Sequence, residues 1–483
     1  MVVAAQAFRH YDIRGNINQD IFIDDTYTLG RAVAEYVLQQ NPQAKTIIIG
    51  RDGRTHSPAI QKNIAQAFFD VGFTVHDTGV CPTPVVYFAT HVRDYDAAVM
   101  VTASHNGPEY NGLKLCLGKN SIWGTQIQKI KELYYAALEN NCLHARVMHN
   151  NASYKRVNVQ RQYAEYMARE FVDLKNLTMP IIADCGNGAV GALLRQVVDA
   201  VGLREVTIMC EEVDGTYPNH AANPVELENM LHVIQAVDTH KPAFAVGFDG
   251  DGDRMAAVTP DGKLVCGDVL LALFAQDILQ KNKQGTIVYD GKCSLIVAET
   301  IAQHAGAGVR SPSGHSIIKS VMREHNALFG GELSCHFFFA DTYFGFDDGV
   351  YAFLRLVRLM SSTSKDLTQL VQEFSQTFST PEIRIPCSDT EKYTVIEKIK
   401  EVLRSQDRYT LSYQDGVRLE DAQSWALIRV SNTQPAVCIR CESLTDAGLQ
   451  AIKKVIYDAL GSPGAMPIVP IQASDMKIVQ ELS

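Results

Sequence analysis

The stretch TIIIG at residues 46–50, followed by IQKNIAQAFFDVG at 60–72 and FTVHDTG at 73–79, sets the fold class. A short β-branched run reads as a buried strand, the next segment as a helix, and the third as a second strand. The same order returns at MPIIADC (179–185), GALLRQVVDAVG (191–202) and EVTIMC (205–210). It returns again at GTIVYD (285–290) and LIVAETIAQHAG (295–306). Strand–helix–strand units of this length predict α/β domains with mixed, largely parallel sheets.

Three such units fit a chain of 483 residues, given that domains typically run to 100–150 residues. Breaks are expected near 153, 258 and 376, the last within the proline-containing STPEIRIPCSD (379–389) and its approach. Beyond it the pattern changes to strand, helix (TVIEKIKEVLRS), two strands (SWALIRVSN and AVCIRCES) and a final helix (TDAGLQAIKKVIYDAL). The expected division is three similar α/β domains (1–153, 154–257, 258–375), a smaller α+β domain (376–460) and a proline-bearing tail (461–483).

The 54 acidic residues outnumber the 44 basic ones, giving a net charge of −10. That balance argues against sequence-independent binding to nucleic acid, while a few local arginines can still hold a small phosphate. The eleven cysteines are scattered and form no disulfide framework, as in a reducing compartment. Cys438 and Cys441 form a lone CxxC inside a strand and read as ordinary strand residues. No stretch approaches the roughly 18 apolar residues of a membrane span, and the N-terminal run is too short for a signal peptide. The expectation is a cytoplasmic protein with no membrane partner.

The strongest chemical signal is Asp249-Gly-Asp251-Gly-Asp253-Arg254, after the apolar strand AFAVGF. Three carboxylates at alternate positions of an extended backbone can converge on one point, and hard oxygen ligands suit magnesium or calcium. An EF-hand would need glycine at its sixth position and glutamate at its twelfth. Those places hold Arg254 and Pro260, which excludes it. The second signal is TASHNGPEYNGLK (102–114), which places Ser104 directly after the strand DAAVMV. No GxSxG or acyl-transfer triad order accompanies it, but phosphoryl transfer needs no such triad when a metal and cations hold the phosphate.

Basic loops form a third set: Tyr11–Gly15 with Arg14, Arg51–Arg54, and Arg429 followed by Ser431, Asn432 and Thr433. An arginine fork with hydroxyl and amide donors makes a phosphate cradle. Fourth are Ser313-Gly-His315 and Glu332-Leu-Ser334-Cys-His336, where Glu332 and Ser334 lie two apart and can face vicinal sugar hydroxyls. A rival reading comes from Gly186-Asn-Gly-Ala-Val-Gly191. It follows a strand, opens a helix and precedes acids at 211 and 212, which meets the dinucleotide-binding fingerprint. That reading leaves the acidic loop and the phosphate cradle unexplained.

Taken in order from YDIRG to RVSNTQP, these segments resemble the α-D-phosphohexomutase superfamily, and its bacterial phosphomannomutase/phosphoglucomutase branch most closely. The resemblance covers nearly the whole chain. It implies three similar α/β domains and a smaller fourth around a central cleft. It implies hexose 6-phosphate/hexose 1-phosphate interconversion (mannose and/or glucose) through a phosphoserine and a hexose 1,6-bisphosphate, with glucosamine phosphate or mere sugar-phosphate binding as alternatives. Carried over, Ser104 is the phosphorylated residue, and it shares Mg2+ with Asp249, Asp251 and Asp253. Arg14, Lys114, Arg254 and His315 are implied in charge stabilisation or proton transfer. Lys292, Glu332, Ser334, His336, Arg429, Ser431, Asn432 and Thr433 are implied in substrate binding. The chain departs from the family pattern at Gly107, which precedes Pro108, and at Cys335, where glycine is usual. The glycine turn at 186–191 has a structural counterpart in that family. The expected partners are small sugar phosphates, and the expected assembly is a monomer or weak dimer.

Overall fold

The computed structural model describes residues 2–140, 152–388, 390–404, 406–431 and 436–461. Four sheets follow one another along the chain. The first runs in the order Ile13–Asn16, Tyr110–Leu117, Ala97–Val101, Thr46–Arg51, Thr74–Val80 and Ser153–Arg156. Its inner strands are parallel and the first two antiparallel. The second sets Val206–Met209, Ile181–Asp184 and Phe244–Phe248 in parallel, then turns antiparallel through Met255–Val258 and Leu264–Val265. The third joins Ala307–Ser311, Thr286–Asp290 and Phe329–Gly331 in parallel with an antiparallel Phe337–Phe339. The fourth sheet is antiparallel throughout and carries the helices Lys392–Leu403 and Asp446–Leu460.

Two sheets run past the expected breaks. Ser153–Arg156 pairs with Thr74–Val80, so the first sheet ends beyond residue 153. Leu264–Val265 takes the second beyond 257. The reason is physical: SYKR is a mostly exposed edge strand, so no apolar alternation announces it. Among the described residues no helix is long and apolar enough to cross a membrane.

The parallel strands fix where function can sit. The segment containing Ser104 leaves the end of Ala97–Val101, the acidic loop leaves Phe244–Phe248, Lys292 follows Thr286–Asp290, and Glu332 follows Phe329–Gly331. All lie beyond the carboxyl ends of strands, where open α/β sheets expose backbone groups and bind ligands.

One apolar core runs through the first three units, from Ile48 and Tyr87 through Leu194 and Phe248 to Phe353. At a joint between them, Phe88 meets Tyr163 edge to face at 5.4 Å. The Tyr163 hydroxyl donates to both oxygens of buried Asp348 at 2.9 Å, and Tyr343 adds a third bond at 3.1 Å. Asp348 also caps the helix Gly349–Ser361 by accepting from the Tyr351 amide at 2.9 Å. The C-terminal unit keeps a separate core and meets the rest largely through charged contacts. Arg440 reaches Asp268 at 3.2 Å, Arg418 reaches the Gly291 carbonyl at 2.7 Å, and Ser294 bonds Glu442.

Replacing Asp348 with alanine removes a helix cap worth about 1 kcal/mol and strands two buried tyrosine hydroxyls at about 1 kcal/mol or more each. The expected result is a loss of about 3 kcal/mol, read as a lowered thermal midpoint of the first three units. A midpoint within a degree of wild type would contradict it.

Candidate active site

Ser104 sits at the bottom of the cleft between the four units, buried, with a left-handed backbone at φ 53°. A non-glycine residue holds that conformation only where its surroundings over-determine it. Arg54 supplies the constraint. Its guanidinium is fully buried, paired with Asp52 at 3.0 Å, and donates to the carbonyls of Ser104 (2.7 Å), Asn106 (2.6 Å), Tyr110 (3.0 Å) and Gly107. The basic loop at 51–54 therefore does not cradle a ligand phosphate: Arg54 spends its donors shaping the serine loop from beneath. Sequence reasoning missed this role, because four carbonyls brought to one side chain leave no pattern in the chain.

The Ser104 hydroxyl donates to Asp249 Oδ2 at 3.0 Å and lies 3.2 Å from His105 Nδ1. Asp249, Asp251 and Asp253 are fully buried, with ligand oxygens within 4.8 Å of one another. Lys114 enters from the first sheet and donates to Asp251 Oδ2 at 2.7 Å and to Asp253. Asp251 Oδ1 has no partner. Converging oxygens with one left unsatisfied fit a hard divalent cation, so this chain's residues suit the metal implied by the loop. Burial, then the neighbouring carboxylates Asp253 and Asp251, push the Asp249 carboxyl well up.

A second tier of side chains stands around this point. Arg254 lies 3.7 Å from Asp249, and its Nε stands 3.2 Å from His336 Nε2. His336 also faces Asp253 at 3.2 Å through Nε2 and Glu332 at 2.9 Å through Nδ1. Burial opposes its charge, but Asp253 and Glu332 outweigh it and lift the imidazole to about 9. Both ring nitrogens are committed within the protein, so His336 orients Glu332 and braces the acidic loop. Glu332 in turn accepts from the Gly314 amide at 2.7 Å. Ser334 lies 3.2 Å from His336 Nδ1.

His315 is a different case. Its Nδ1 lies 3.4 Å from Asp347, which Lys319 also reaches at 2.8 Å, while Nε2 has no partner. Its Nδ1 also lies 3.4 Å from Lys319 Nζ, and burial and then Lys319 hold its pKa below the ordinary value. Arg14 pairs with Asp12 and donates to Asn106 at 2.8 Å. Lys292 faces Glu382 at 3.2 Å, and Arg429 is held by Asp415 at 2.8 Å.

The cleft wall includes Arg14, Ser104, Lys114, Arg254, Lys292, His315, Glu332, Ser334, His336, Arg429 and Ser431. Asn432 and Thr433 lie outside the described residues, as does the tail from 462. Sequence reasoning did not single out Glu382 and Arg384, which also line the cleft from the strand at 383–386 and its approach. The rival glycine turn is filled by the chain itself. The Ala189 amide donates to the Gly250 carbonyl at 2.9 Å, and a Cβ at Gly188 would meet that same oxygen at 2.9 Å. No pyrophosphate can approach; the turn backs the acidic loop.

Comparison with known proteins agrees with this geometry. Residues 5–141, 161–262 and 266–378 match the phosphoglucomutase/phosphomannomutase alpha/beta/alpha domains I, II and III, and residues 382–459 match the C-terminal domain of the same family. A phosphomannomutase/phosphoglucomutase of Pseudomonas syringae pv. tomato is 36% identical over 458 residues, covering 94% of each chain. A phosphoglucomutase of Neisseria meningitidis serogroup A is 34% identical, covering 93% of this chain and 96% of that one. The crystal structure of a phosphoglucomutase/phosphomannomutase family protein from Burkholderia thailandensis superposes with a TM-score of 0.86 at 32% identity, over 97% of this chain and 100% of that one. The chain belongs to the phosphoglucomutase/phosphomannomutase family.

The role given to Arg54 is testable. Arg54→Lys keeps the charge against Asp52 but loses the planar fork, leaving loop carbonyls unpaired at about 1–3 kcal/mol each. The variant should fold with a lowered thermal midpoint and lose turnover far more than substrate affinity. A variant with unchanged turnover would remove Arg54 from the account.

Proposed function

We propose that this protein interconverts hexose 6-phosphate and hexose 1-phosphate, with mannose and glucose as the sugars, through a phosphoserine at Ser104. The observation that carries the reading is a single buried serine hydroxyl bonded to Asp249, beside two further carboxylates and Lys114. Asp249, Asp251 and Asp253, with Ser104, would hold Mg2+, whose charge offsets that of the transferring phosphoryl group.

In the forward step the bond from phosphorus to Ser104 Oγ breaks as a new bond forms to the free hydroxyl of the sugar monophosphate. The product is a hexose 1,6-bisphosphate. The sugar hydroxyl must lose a proton, and His315, whose buried Nε2 has no partner among the described residues, is the group we assign to accept it. Arg254 and Arg14 stabilise charge on the phosphoryl oxygens. Glu332 and Ser334 receive the sugar hydroxyls, since each carboxylate oxygen keeps a spare lone pair beyond its protein partner. Arg429, Ser431, Asn432, Thr433 and Lys292 bind the distal phosphate. After the bisphosphate turns over in the cleft, the reverse step returns its other phosphoryl group to Ser104. Leu333 between Glu332 and Ser334, with His336 after them, resembles the mannose/glucose branch rather than the glucosamine one and supports that choice of sugars. We further propose that the protein works in the cytoplasm as a monomer or weak dimer.

Ser104→Ala should retain the fold and lose mutase turnover in an assay coupled to product oxidation; rates near wild type would sink the scheme. Chelation by EDTA should abolish turnover and added Mg2+ restore it, whereas full activity in chelator would remove the metal from the reaction. A comparison of kcat/KM for mannose, glucose and glucosamine phosphates should rank glucosamine last; a first place there would reverse the sugar assignment.

A further inference from the structure

Outside the residues that line the cleft, four side chains of the second unit meet at the carboxyl end of its sheet. Asp184 ends the strand Ile181–Asp184, Cys210 follows Val206–Met209, His220 lies in the loop beyond, and His232 stands on the helix Leu227–His240. We propose that Asp184, Cys210, His220 and His232 form a second metal site, suited to zinc(II) and independent of the acidic loop. One ligand atom from each of the four lies within 4.8 Å of the others. His220 Nε2 is 3.0 Å and His232 Nε2 3.3 Å from the same oxygen, Asp184 Oδ2. A tetrahedral zinc with bonds of about 2.0–2.1 Å to nitrogen and oxygen has ligand-to-ligand edges of about 3.3 Å. One thiolate, two imidazoles and one carboxylate make a zinc donor set, unlike the all-oxygen set of the cleft.

A second observation points to a ligand. Asp184 is 1% exposed, and its Oδ2, together with His220 Nε2 and His232 Nε2, forms no hydrogen bond of acceptable geometry. His220 Nδ1 lies 2.9 Å from the Ala221 carbonyl, a contact that places the ring proton there and turns the Nε2 lone pair toward the carboxylate. Metal-bound histidines are commonly held in this way by a carbonyl on the far nitrogen. Protonating His220 alone, with His232 as its neutral Nε2–H tautomer, is the other way to satisfy these atoms. The two imidazoles, with centroids 4.4 Å apart and planes at 30°, aim both Nε2 atoms at one carboxylate oxygen, as two ligands of one ion would. One divalent cation satisfies the carboxylate and leaves both rings neutral.

The site would tie the helix Leu227–His240 and the His220 loop to the sheet end. It would also reach the active centre from behind. A Cβ at Gly186 would stand 3.3 Å from the His220 ring, and the turn that Gly186 opens packs against Gly250 of the acidic loop. The proposed role is structural, holding the back of that loop.

Cobalt(II) titration of the metal-stripped, full-length protein tests this without relying on turnover. The expected result is a near-ultraviolet thiolate-to-cobalt band with intense visible bands of tetrahedral cobalt, displaced by one equivalent of zinc. The acidic loop has no thiolate and cannot give that band. Cys210→Ser should abolish it. Should that variant fail to fold, His232→Gln, altered on a partly exposed helix face, should weaken zinc binding at least about 100-fold, more than loss of an outer-shell partner. Weak octahedral bands alone in the wild-type protein, or a thiolate band that survives Cys210→Ser, would overturn the proposal.

Discussion

The fold turns on a buried cluster of opposite charges shared by three separate sheets. Asp249, Asp251 and Asp253 come from the second unit, Lys114 from the first, and His336 from the third. Carboxylates removed from water cost several kcal/mol each unless cations and donors compensate them. No single unit supplies that compensation, so the acidic loop is tolerable only when the three are assembled. Deleting one partner of such a group typically costs about 3–5 kcal/mol, more than any surface ion pair in the chain can contribute. The arrangement that allows the loop to be buried also sets Asp249 against the Ser104 hydroxyl.

The remaining contacts divide into two kinds. Apolar packing is continuous through the first three units, and Asp348 stitches one of their seams with two tyrosine hydroxyls. The fourth unit keeps its own core and joins through Arg440–Asp268, Arg418–Gly291 and a shared Asp415, which binds both Arg429 and the Ser313 amide. The three arginines and Asp268 are buried, but a joint between domains that is polar rather than apolar leaves relative motion as the default. A phosphate held by Arg429 would add contacts across the joint and favour closure over the cleft.

How much of this was legible in the sequence depended on whether the signal was local. The α/β rhythm and the change to an α+β pattern beyond 376 are carried by consecutive residues, and the sheets follow them. Ser104 and the three aspartates each lie within one short loop, so their chemistry shows in the chain. The exposed strand SYKR carries no apolar alternation and stayed hidden. Arg54, Asp347 and Lys319 were equally silent, because their roles arise only when distant segments meet. The glycine turn at 186–191 shows the opposite failure. Its spacing is that of a phosphate-binding turn, yet Gly250 already occupies the amide that a phosphate would need. Cys438 and Cys441 are three apart in one strand; Cys438 faces the cleft and Cys441 the C-terminal core, so they cannot act as a pair.

Each role assigned around the cleft assumes that Ser104 carries the phosphoryl group between the two ends of the sugar. Peptide mass spectrometry of the purified protein measures this directly, before and after incubation with a hexose 1,6-bisphosphate and Mg2+, and then with a sugar monophosphate. The expected result is phosphate on the peptide containing Ser104 after the bisphosphate, and its loss to the monophosphate. A Ser104 that stays unmodified under every condition would contradict it and leave a protein of this family that binds sugar phosphates without exchanging them.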